Sequence, residues 1–371
     1  MKIPDNFIGA NIAFLDEKKP QTTHKIEYIT KYVERWLYVV CNVEENKNIN
    51  FVDCMCNAGV YSDGDLGTGM RVLKLFNEFA VRYPDKTFNL ILNDIDSDRL
   101  RIIETVAKTY IGVAAKNIKI SLYNTDVNEF LSDGGIFSAY FNCYPMRAAN
   151  LVFVDPYNFC TVRISVLQEF LSNKYCELLF NVFTSDFVRN QDKVKMQEFC
   201  LQENITATTK AEMIEFIKTK LKTGKIKYSF SYEFKSVTNT ELYQIMFFTP
   251  NPKGLEKLKE ALWETFNGKE FYKNKKETDF IQLSIFSEDD DKQLMIDFHA
   301  SIAKELLLKN FKGKTTDYTS IELFLIENTL LSANQIIEHV LHPLLRDNKL
   351  KKLGYVSNKS NYKQDSYRIL G

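Results

Sequence analysis

Four aspartates, each at the end of a short apolar segment, are the residues of this 371-residue chain best placed to do chemistry. They are Asp53, Asp94, Asp126 and Asp155. In an open α/β sheet the carboxyl ends of parallel strands gather along one edge, and ligands bind in the crevice outside them. We therefore expect these carboxylates to line one binding site for a nucleotide-like ligand.

The first aspartate opens a turn rich in small residues, Asp53-Cys-Met-Cys-Asn-Ala-Gly59. Such a turn brings backbone N–H groups and a helix N-terminus up to a nucleotide, which bulkier residues would exclude. A close approach favours residues that tolerate the left-handed conformation, and Gly59 and Asn57 both do. The alternative is a tight strand-to-helix turn without a ligand.

The next two aspartates have nucleoside-binding and structural interpretations. Asp94 ends a strand, where a carboxylate can accept hydrogen bonds from both ribose hydroxyls. Asp96 could instead cap the helix that begins near Asp98. Asp126 stands where an acid or amide usually meets the adenine amino group, and helix capping explains it equally well.

The segment Val154-Asp-Pro-Tyr-Asn158 is the strongest local signal. Pro156 fixes a non-helical exit from the strand. An Asp, a Pro and an aromatic residue after a fourth strand recur in amino-group methyltransferases, where they hold the target NH₂ and stack on the base. We therefore expect Asp155, Pro156 and Tyr157 to be catalytic. The alternative is an Asp-Pro turn that merely packs beside the cofactor.

Alternating strands and helices position these residues. Predicted strands end near Cys54 and cover Phe88–Asn93, Ile118–Leu122, Leu151–Val154 and Cys176–Phe183. Helical spacing of apolar residues covers Ile26–Val40, Thr68–Tyr83 and Ser97–Tyr110, with a short helix at Val127–Leu131. In the first helix, Lys25, Lys31, Glu34 and Arg35 fall mainly between the apolar positions. This alternation predicts a parallel sheet with right-handed crossovers.

Two further strands decide the type of sheet. Lys225–Phe234 and Leu242–Phe248 are joined by a short polar loop, which predicts an antiparallel hairpin. Five parallel strands followed by such a hairpin form the sheet of class I methyltransferases, whereas a dinucleotide dehydrogenase continues with parallel strands. We therefore predict an α/β, methyltransferase-like Rossmann domain that binds S-adenosylmethionine and is closed by the helix Gly254–Phe266.

The C-terminal part has a different pattern. A polar connector lies between Gly268 and Asp291. Two helices followed by strands at Gly354–Val356 and Ser366–Leu370 then predict a winged-helix-like domain. The expected boundaries are 1–268 for the Rossmann domain, 269–314 for a connector and helix, and 315–371 for the winged helix. From Lys309 to Gly371 there are ten Lys or Arg and six Asp or Glu, which suits contact with nucleic acid or docking to a protein.

Composition narrows the class of protein. The 48 basic and 48 acidic side chains cancel, so no global field attracts nucleic acid or an anionic membrane. There is no apolar run long enough to span a membrane and no secretion signal, so we expect a cytoplasmic protein. The seven cysteines are expected to be reduced. Cys54 and Cys56 lack partners at zinc spacing, so no metal site is expected.

Several short motifs together resemble the three-Cys-motif partner proteins, a bacterial family encoded beside a protein with a three-cysteine, radical-SAM-like motif. They are the helix His24–Trp36, the turn at Asp53 with Gly64 and Gly67, Asn93-Asp-Ile-Asp96, Phe153-Val-Asp-Pro-Tyr157, Glu177–Asn181, Phe247–Glu256 and Trp263. In the first turn Cys56 replaces the family's Ala and Asn57 its first Gly, while Gly59 matches the second. Gly67-Thr-Gly69 and Asn158 also depart from the family pattern.

The resemblance implies a methyltransferase-like Rossmann fold and its cofactor rather than a particular reaction. Two hypotheses about function follow. The first is an S-adenosylmethionine-dependent methyltransferase that acts on a nucleic-acid amino group. The second is a non-catalytic, Rossmann-like partner that docks on the three-cysteine, radical-SAM-like protein.

Overall fold

The structure is a computed structural model that describes residues 15–18, 20–132, 147–190, 193–200, 207–236, 241–269, 271–273, 288–353 and 365–370. The chain divides into two compact units. The first comprises residues 1–254 and 271–274, and the second comprises residues 255–270 and 275–371.

The first unit alternates strands and helices. Its strands are β1 (Asn46–Asp53), β2 (Thr87–Asn93), β3 (Ile118–Tyr123), β4 (Arg147–Val154), β5 (Glu177–Val182), β6 (Tyr228–Ser236), β7 (Glu241–Thr249) and β8 (Phe271–Lys273). Its helices are α1 (Pro20–Cys41), α2 (Thr68–Arg82), α3 (Ser97–Val106), α4 (Val127–Leu131), α5 (Ile164–Asn173), α6 (Thr184–Asn190), α7 (Val194–Cys200) and α8 (Lys210–Leu221). One π-helical turn, Ala107–Ile111, extends α3.

The strands form one sheet in the order β3-β2-β1-β4-β5-β7-β6-β8. Strands β1 to β5 pair in parallel, and β7 is antiparallel to both β5 and β6. The fold is therefore that of a class I methyltransferase, as the sequence predicted. The hairpin of β6 and β7 is confirmed, although its loop, 237–240, lies outside the described residues.

A row of buried amide side chains crosses the parallel part of the sheet. Asn89 Nδ2 donates to Asn50 Oδ1 at 2.7 Å, and Asn50 Nδ2 donates to Asn150 Oδ1 at 2.7 Å. Asn150 Nδ2 then donates to the carbonyl of Tyr175 at 2.8 Å. Since a one-residue slip would break these buried bonds, the chain of amides favours one register of β2, β1 and β4.

The region between β5 and β6 holds structure that the sequence analysis did not assign. Helices α6, α7 and α8 occupy it, and Thr209 with Glu212 forms a capping box at the start of α8. Strand β8, which pairs in parallel with β6, was also not predicted. Its three residues are too few to show a period of two.

The second unit is mainly helical. It contains most of α9 (Pro252–Phe266), then α10 (Glu288–Phe311), β9 (Thr315–Asp317), α11 (Tyr318–Asn328), α12 (Ala333–Ile336), α13 (His342–Arg346), β10 (Leu350–Leu353) and β11 (Ser366–Ile369). A π-helical turn, Ile337–Leu341, joins α12 to α13. The three strands form an antiparallel sheet in the order β10-β11-β9.

Two details of this unit differ from expectation. Residues 255–266 of α9 belong to the second unit, whereas the sequence analysis gave that helix to the first domain. Strand β10 covers Leu350–Leu353, and the expected strand at 354–356 lies outside the described residues. The order of helices and strands agrees with a winged helix, but that assignment stays a prediction because the wing itself, 354–364, is not described.

The longest described helices are α10, with 24 residues, and α1, with 22 residues. Neither these nor the other described helices combine the length and apolarity needed to cross a membrane.

Candidate functional site

The carboxyl edge of the parallel sheet carries three of the four aspartates from the sequence analysis. Asp53 is the last residue of β1, and Asp94 and Asp155 directly follow β2 and β4. Asp53 pairs with Phe153, so Asp155 lies two residues further along the neighbouring strand, on the same face of the sheet. The parallel topology thus brings these carboxylates to one edge.

The turn after β1 has the conformation that a close ligand approach requires. Asn57 has a φ of 54° and Gly59 a φ of 69°, so both residues are left-handed. Asn57 thus adopts the conformation that a glycine would, and its role toward a cofactor stays a prediction. A Cβ on Gly59 would lie 2.6 Å from Cγ1 of Ile103, so only glycine fits there without a shift of its neighbours.

Asp94 ties the ends of β1 and β2 together. Its Oδ2 accepts the backbone N–H of Asn57 at 2.9 Å, and its Oδ1 accepts that of Asp96 at 2.9 Å. Burial raises the pKa of Asp94, while the N–H of Asp96 and the nearby Arg99 oppose the shift. Each oxygen keeps a lone pair for one more donor.

Asp53 is the most strongly perturbed carboxyl group of the site. Burial raises its pKa to about 8, and the neighbouring Asp155 carboxylate adds to the effect. One backbone N–H, that of Met55, is donated to Asp53 Oδ1 at 3.3 Å and opposes the shift only in part. At neutral pH Asp53 is therefore largely protonated, in a position where a cationic ligand would favour its carboxylate form.

Lys25 is the cation that contacts Asp155, and the sequence analysis misplaced it. It was put between the apolar positions of α1, but it is buried, with 8% of its surface exposed. Its Nζ lies 2.9 Å from Oδ1 and 2.6 Å from Oδ2 of Asp155. The helical spacing could have shown this, because Lys25 lies four and seven residues before the buried Ile29 and Tyr32.

Asn181, near the end of β5, is a second residue that the analysis of acids alone overlooked. Its Nδ2 donates to Asp155 Oδ1 at 2.7 Å, and the residue is buried. Asn181 ends an apolar strand just as the aspartates do. Including amides in the search for strand-end polar residues would have found it.

Tyr157 and Arg99 form the outer part of the site. The Arg99 guanidinium carbon lies 5.5 Å from the centre of the Tyr157 ring, and Arg99 also hydrogen-bonds the Tyr157 hydroxyl. Asp16 lies 3.8 Å from Arg99 and accepts a hydrogen bond from the Asn57 side chain. Burial raises the pKa of Tyr157 to about 12, although half of the residue's surface is exposed.

Two further acids near this edge, Asp96 and Asp126, cap helices. Asp96 accepts the backbone N–H of Asp98 at 2.9 Å at the start of α3, as expected. Asp126 accepts the N–H of Asn128 at 2.9 Å at the start of α4. The capping role of Asp126 is thus observed, and its role toward a ligand stays a prediction.

The cysteines near the site pack as small hydrophobic residues. Cys54 and Cys56 are buried and form no disulfide with a described residue. Burial raises the pKa of both thiols. Within the described ranges, no group of three or more His, Cys, Asp or Glu side chains could hold a metal ion.

Solved structures of low sequence identity match this chain. No family model and no curated protein matches the chain, so the resemblance to the three-Cys-motif partner proteins stays a prediction. A solved structure from Legionella pneumophila is 12% identical, with a TM-score of 0.38 over 65% of this chain and 92% of that chain. Trm1 from Pyrococcus horikoshii, solved with S-adenosyl-L-methionine, is 10% identical, with a TM-score of 0.36 over 95% and 94% of the two chains.

The methyltransferase domain of a bacterial CtHen1 is 12% identical, with a TM-score of 0.31 over 60% of this chain and 99% of that chain. These likenesses are distant, so the function of this chain has to be inferred from its own residues.

Proposed function

We propose that the first unit binds S-adenosylmethionine and methylates an amino group. The observation that carries this proposal is the carboxylate cluster of Asp53, Asp94 and Asp155 at the carboxyl edge of a methyltransferase-type sheet. S-Adenosylmethionine carries a positive sulfonium, which the carboxylates of Asp53 and Asp94 can stabilise, because Asp155 is already paired with Lys25. A dinucleotide carries an anionic diphosphate, which the same carboxylates would repel.

The residues present fit this cofactor. The left-handed turn at Asn57 and Gly59 would let the backbone approach the methionine part of the cofactor. The free lone pairs of Asp94 suit two ribose hydroxyls. Ile95, with 69% of its surface exposed beside Asp94, offers an apolar face for adenine, and Asp126 is the proposed partner of the adenine amino group.

The cofactor would supply an electrophilic methyl group, and the chain's own residues would hold the acceptor. Asp155 accepts hydrogen bonds, Pro156 holds the strand exit, and the exposed ring of Tyr157 offers a stacking surface for a nucleobase. A nucleobase amino group is the acceptor that this combination suits best.

The conformation of Asn57 bears on the non-catalytic alternative. Asn57 stands where the three-Cys-motif family, which this chain resembles, has a glycine. Because Asn57 has a φ of 54°, the turn keeps the shape that a glycine would give it. This supports the enzyme over a purely structural partner of the three-cysteine protein.

The proposal is tested by titration calorimetry with S-adenosylmethionine, S-adenosylhomocysteine and NAD. We expect binding of the first two and no binding of NAD. Asp94→Asn should weaken S-adenosylmethionine binding about tenfold, since it removes a charge-assisted acceptor. Asp98→Asn is the matched control, because Asp98 is an exposed acid of α3 that pairs with Arg101. No heat at millimolar ligand would refute the proposal.

We also propose that the second unit contacts the nucleic-acid backbone. Lys351 and Arg368 are exposed and directly opposite each other on β10 and β11. Like charges in this arrangement destabilise a sheet, and a phosphate near both would relieve the repulsion. The double change Lys351→Ala and Arg368→Ala should lower the salt dependence of binding to a labelled RNA oligonucleotide, whereas Lys309→Ala should change it less. An unchanged salt dependence would count against this contact.

A further inference from the structure

A buried acceptor beside Asp155 is unsatisfied. Asn181 is 1% exposed, and its Oδ1 has no hydrogen-bond partner in the described part of the chain. The amide nitrogen of the same side chain is engaged with Asp155, which fixes the orientation of the amide. Leaving a buried carbonyl oxygen unpaired costs free energy, so the position suits a ligand that brings a donor.

A second acceptor lies next to it. Asp155 Oδ1 accepts from both Lys25 and Asn181, whereas Oδ2 accepts only from Lys25 among the hydrogen bonds described. Val154 pairs with Phe180 in the parallel register of β4 and β5, so Asp155 and Asn181 are neighbours on one face of the sheet. A carboxylate oxygen and an amide oxygen, each with an unused lone pair, therefore belong to neighbouring residues.

We propose that Asp155 Oδ2 and Asn181 Oδ1 together bind the exocyclic amino group of a nucleobase, as in adenine or cytosine. One N–H would be donated to each oxygen, and Asn181 would be a positioning residue for the methyl acceptor. This inference rests on the proposed function and names the acceptor class of the same site.

The ion pair between Lys25 and Asp155 favours a neutral amino group over a charged amine as the methyl acceptor. Its ammonium already pairs with the Asp155 carboxylate at 2.6 Å, so a second cation would gain little from that carboxylate. An aliphatic amine is a cation at neutral pH and has no free lone pair. A nucleobase amino group is neutral, has two N–H donors, and can stack its ring on the exposed Tyr157.

The test compares nucleosides that differ only in the amino group. Protein loaded with S-adenosylhomocysteine is titrated with adenosine and purine riboside, and with cytidine and its 4-deamino analogue. We expect the amino-bearing nucleoside of at least one pair to bind about tenfold more tightly. Asn181→Leu should reduce this ratio to below about threefold, and Asn181→Ser serves if the leucine variant does not fold.

Gln244→Leu is the matched control. Gln244 is also buried, and its amide oxygen has no hydrogen-bond partner among the described residues. It lies opposite Val182 in the register of β5 and β7, so it faces the other side of the sheet from Asn181. Its substitution should leave the nucleoside ratio unchanged. Binding of S-adenosylhomocysteine to the wild-type protein and to every variant is measured first. If the wild-type protein does not bind it, the proposed function is refuted rather than the role of Asn181.

Three results would overturn the inference while leaving the cofactor proposal intact. They are equal affinity for amino-bearing and deamino nucleosides, absence of binding of all four nucleosides, and preferential binding of an acetyl-lysine amide with a free side-chain amine. The last result would show that Asp155 and Asn181 bind an aliphatic amine. If Asn181→Leu leaves the ratio of affinities for the amino-bearing and deamino nucleosides unchanged, Asn181 does not bind the acceptor amino group.

Discussion

Asn57 donates its backbone N–H to Asp94 Oδ2 at 2.9 Å from a left-handed conformation with a φ of 54°. This bond and the bond from the Cys56 N–H to the Asn93 carbonyl, at 2.8 Å, join the turn after β1 to the end of β2. The conformation of Asn57 therefore helps to set the distance between two parts of the proposed cofactor site. A glycine could adopt the same φ at no steric cost, and a β-branched residue could not.

Substitutions at Asn57 should therefore separate backbone from side-chain effects. Asn57→Ala should lower the free energy of unfolding by about 1–2 kcal/mol, because alanine resists the left-handed region. Asn57→Gly removes the same side-chain bonds but keeps the conformation, so it should cost less. Urea denaturation of both variants measures the difference. Equal losses would show that the side-chain bonds to Asp16 and Ala58 dominate.

The raised pKa of Asp53, about 8, predicts a pH-dependent affinity for the cofactor. A bound sulfonium favours the carboxylate, so binding should release a proton when the pH lies below the pKa. Affinity for S-adenosylmethionine should rise from pH 6 to pH 8, by up to about tenfold per pH unit, and level off above pH 9. Calorimetry in buffers of different ionisation enthalpy counts the protons.

Two controls isolate the sulfonium in this experiment. S-Adenosylhomocysteine has the same amino and carboxyl groups but no sulfonium, so its affinity should depend less on pH. Asp53→Asn should flatten the profile for S-adenosylmethionine. A steep profile that survives Asp53→Asn would assign the proton to another group.

Glu177 predicts how stability changes with pH. It accepts hydrogen bonds from the Tyr32 hydroxyl of α1 and, at 2.7 Å, from the Thr249 hydroxyl at the end of β7. Burial raises the pKa of Glu177 to about 7, and these two hydrogen bonds offset the shift only in part. The folded protein therefore keeps a proton between about pH 4.5 and 7 that the unfolded chain releases.

The stabilisation linked to this proton is complete below about pH 4.5 and is lost as the pH rises through about 7. Its loss should amount to on the order of 1–3 kcal/mol. In Glu177→Gln the unfolding free energy should fall less between pH 5 and pH 8. Part of the fall should remain, because the pKa of Asp53 is also raised. Glu169→Gln, at an exposed position of α5, should leave the decline unchanged. A decline that Glu177→Gln does not alter would contradict the assignment.

Lys259 of α9 predicts the local stability of the second unit. The residue is fully buried, and its ammonium donates to the carbonyl oxygens of Ile326, Thr329 and Leu331 at and beyond the end of α11. Lys259→Met would leave these carbonyls unpaired and should cost about 2–4 kcal/mol. Lys257→Met is the control, since Lys257 pairs only with Glu260 on its own helix among the contacts described.

Hydrogen exchange of the α11 amides is the suitable measurement for Lys259. Exchange in Tyr318–Asn328 should accelerate in Lys259→Met and stay near the wild-type rate in Lys257→Met. Equal exchange rates in both variants would show that water can replace the Lys259 ammonium without lowering the local stability of α11.

The sequence was sufficient for the sheet and for much of its carboxyl edge. Buried strands read as continuous apolar runs, and the alternation with helices followed by a hairpin leaves few topologies. The same rule places Asp53, Asp94 and Asp155 at one edge of the sheet. It did not distinguish ligand contacts from helix caps, because Asp96 and Asp126 stand at strand ends and helix starts at once.

The tertiary structure decided which groups meet those aspartates. Lys25 is 130 residues from Asp155 in the chain, and Asn181 is 26 residues from it. Local patterns report periodicity within one element, whereas a salt bridge between a helix and a strand end depends on how the two elements pack. The pKa of Asp53 also depends on burial and on Asp155, which only packing sets. The sequence alone thus determined the fold and the strand-end acids, and packing determined their charge, their partners and the unpaired oxygen of Asn181.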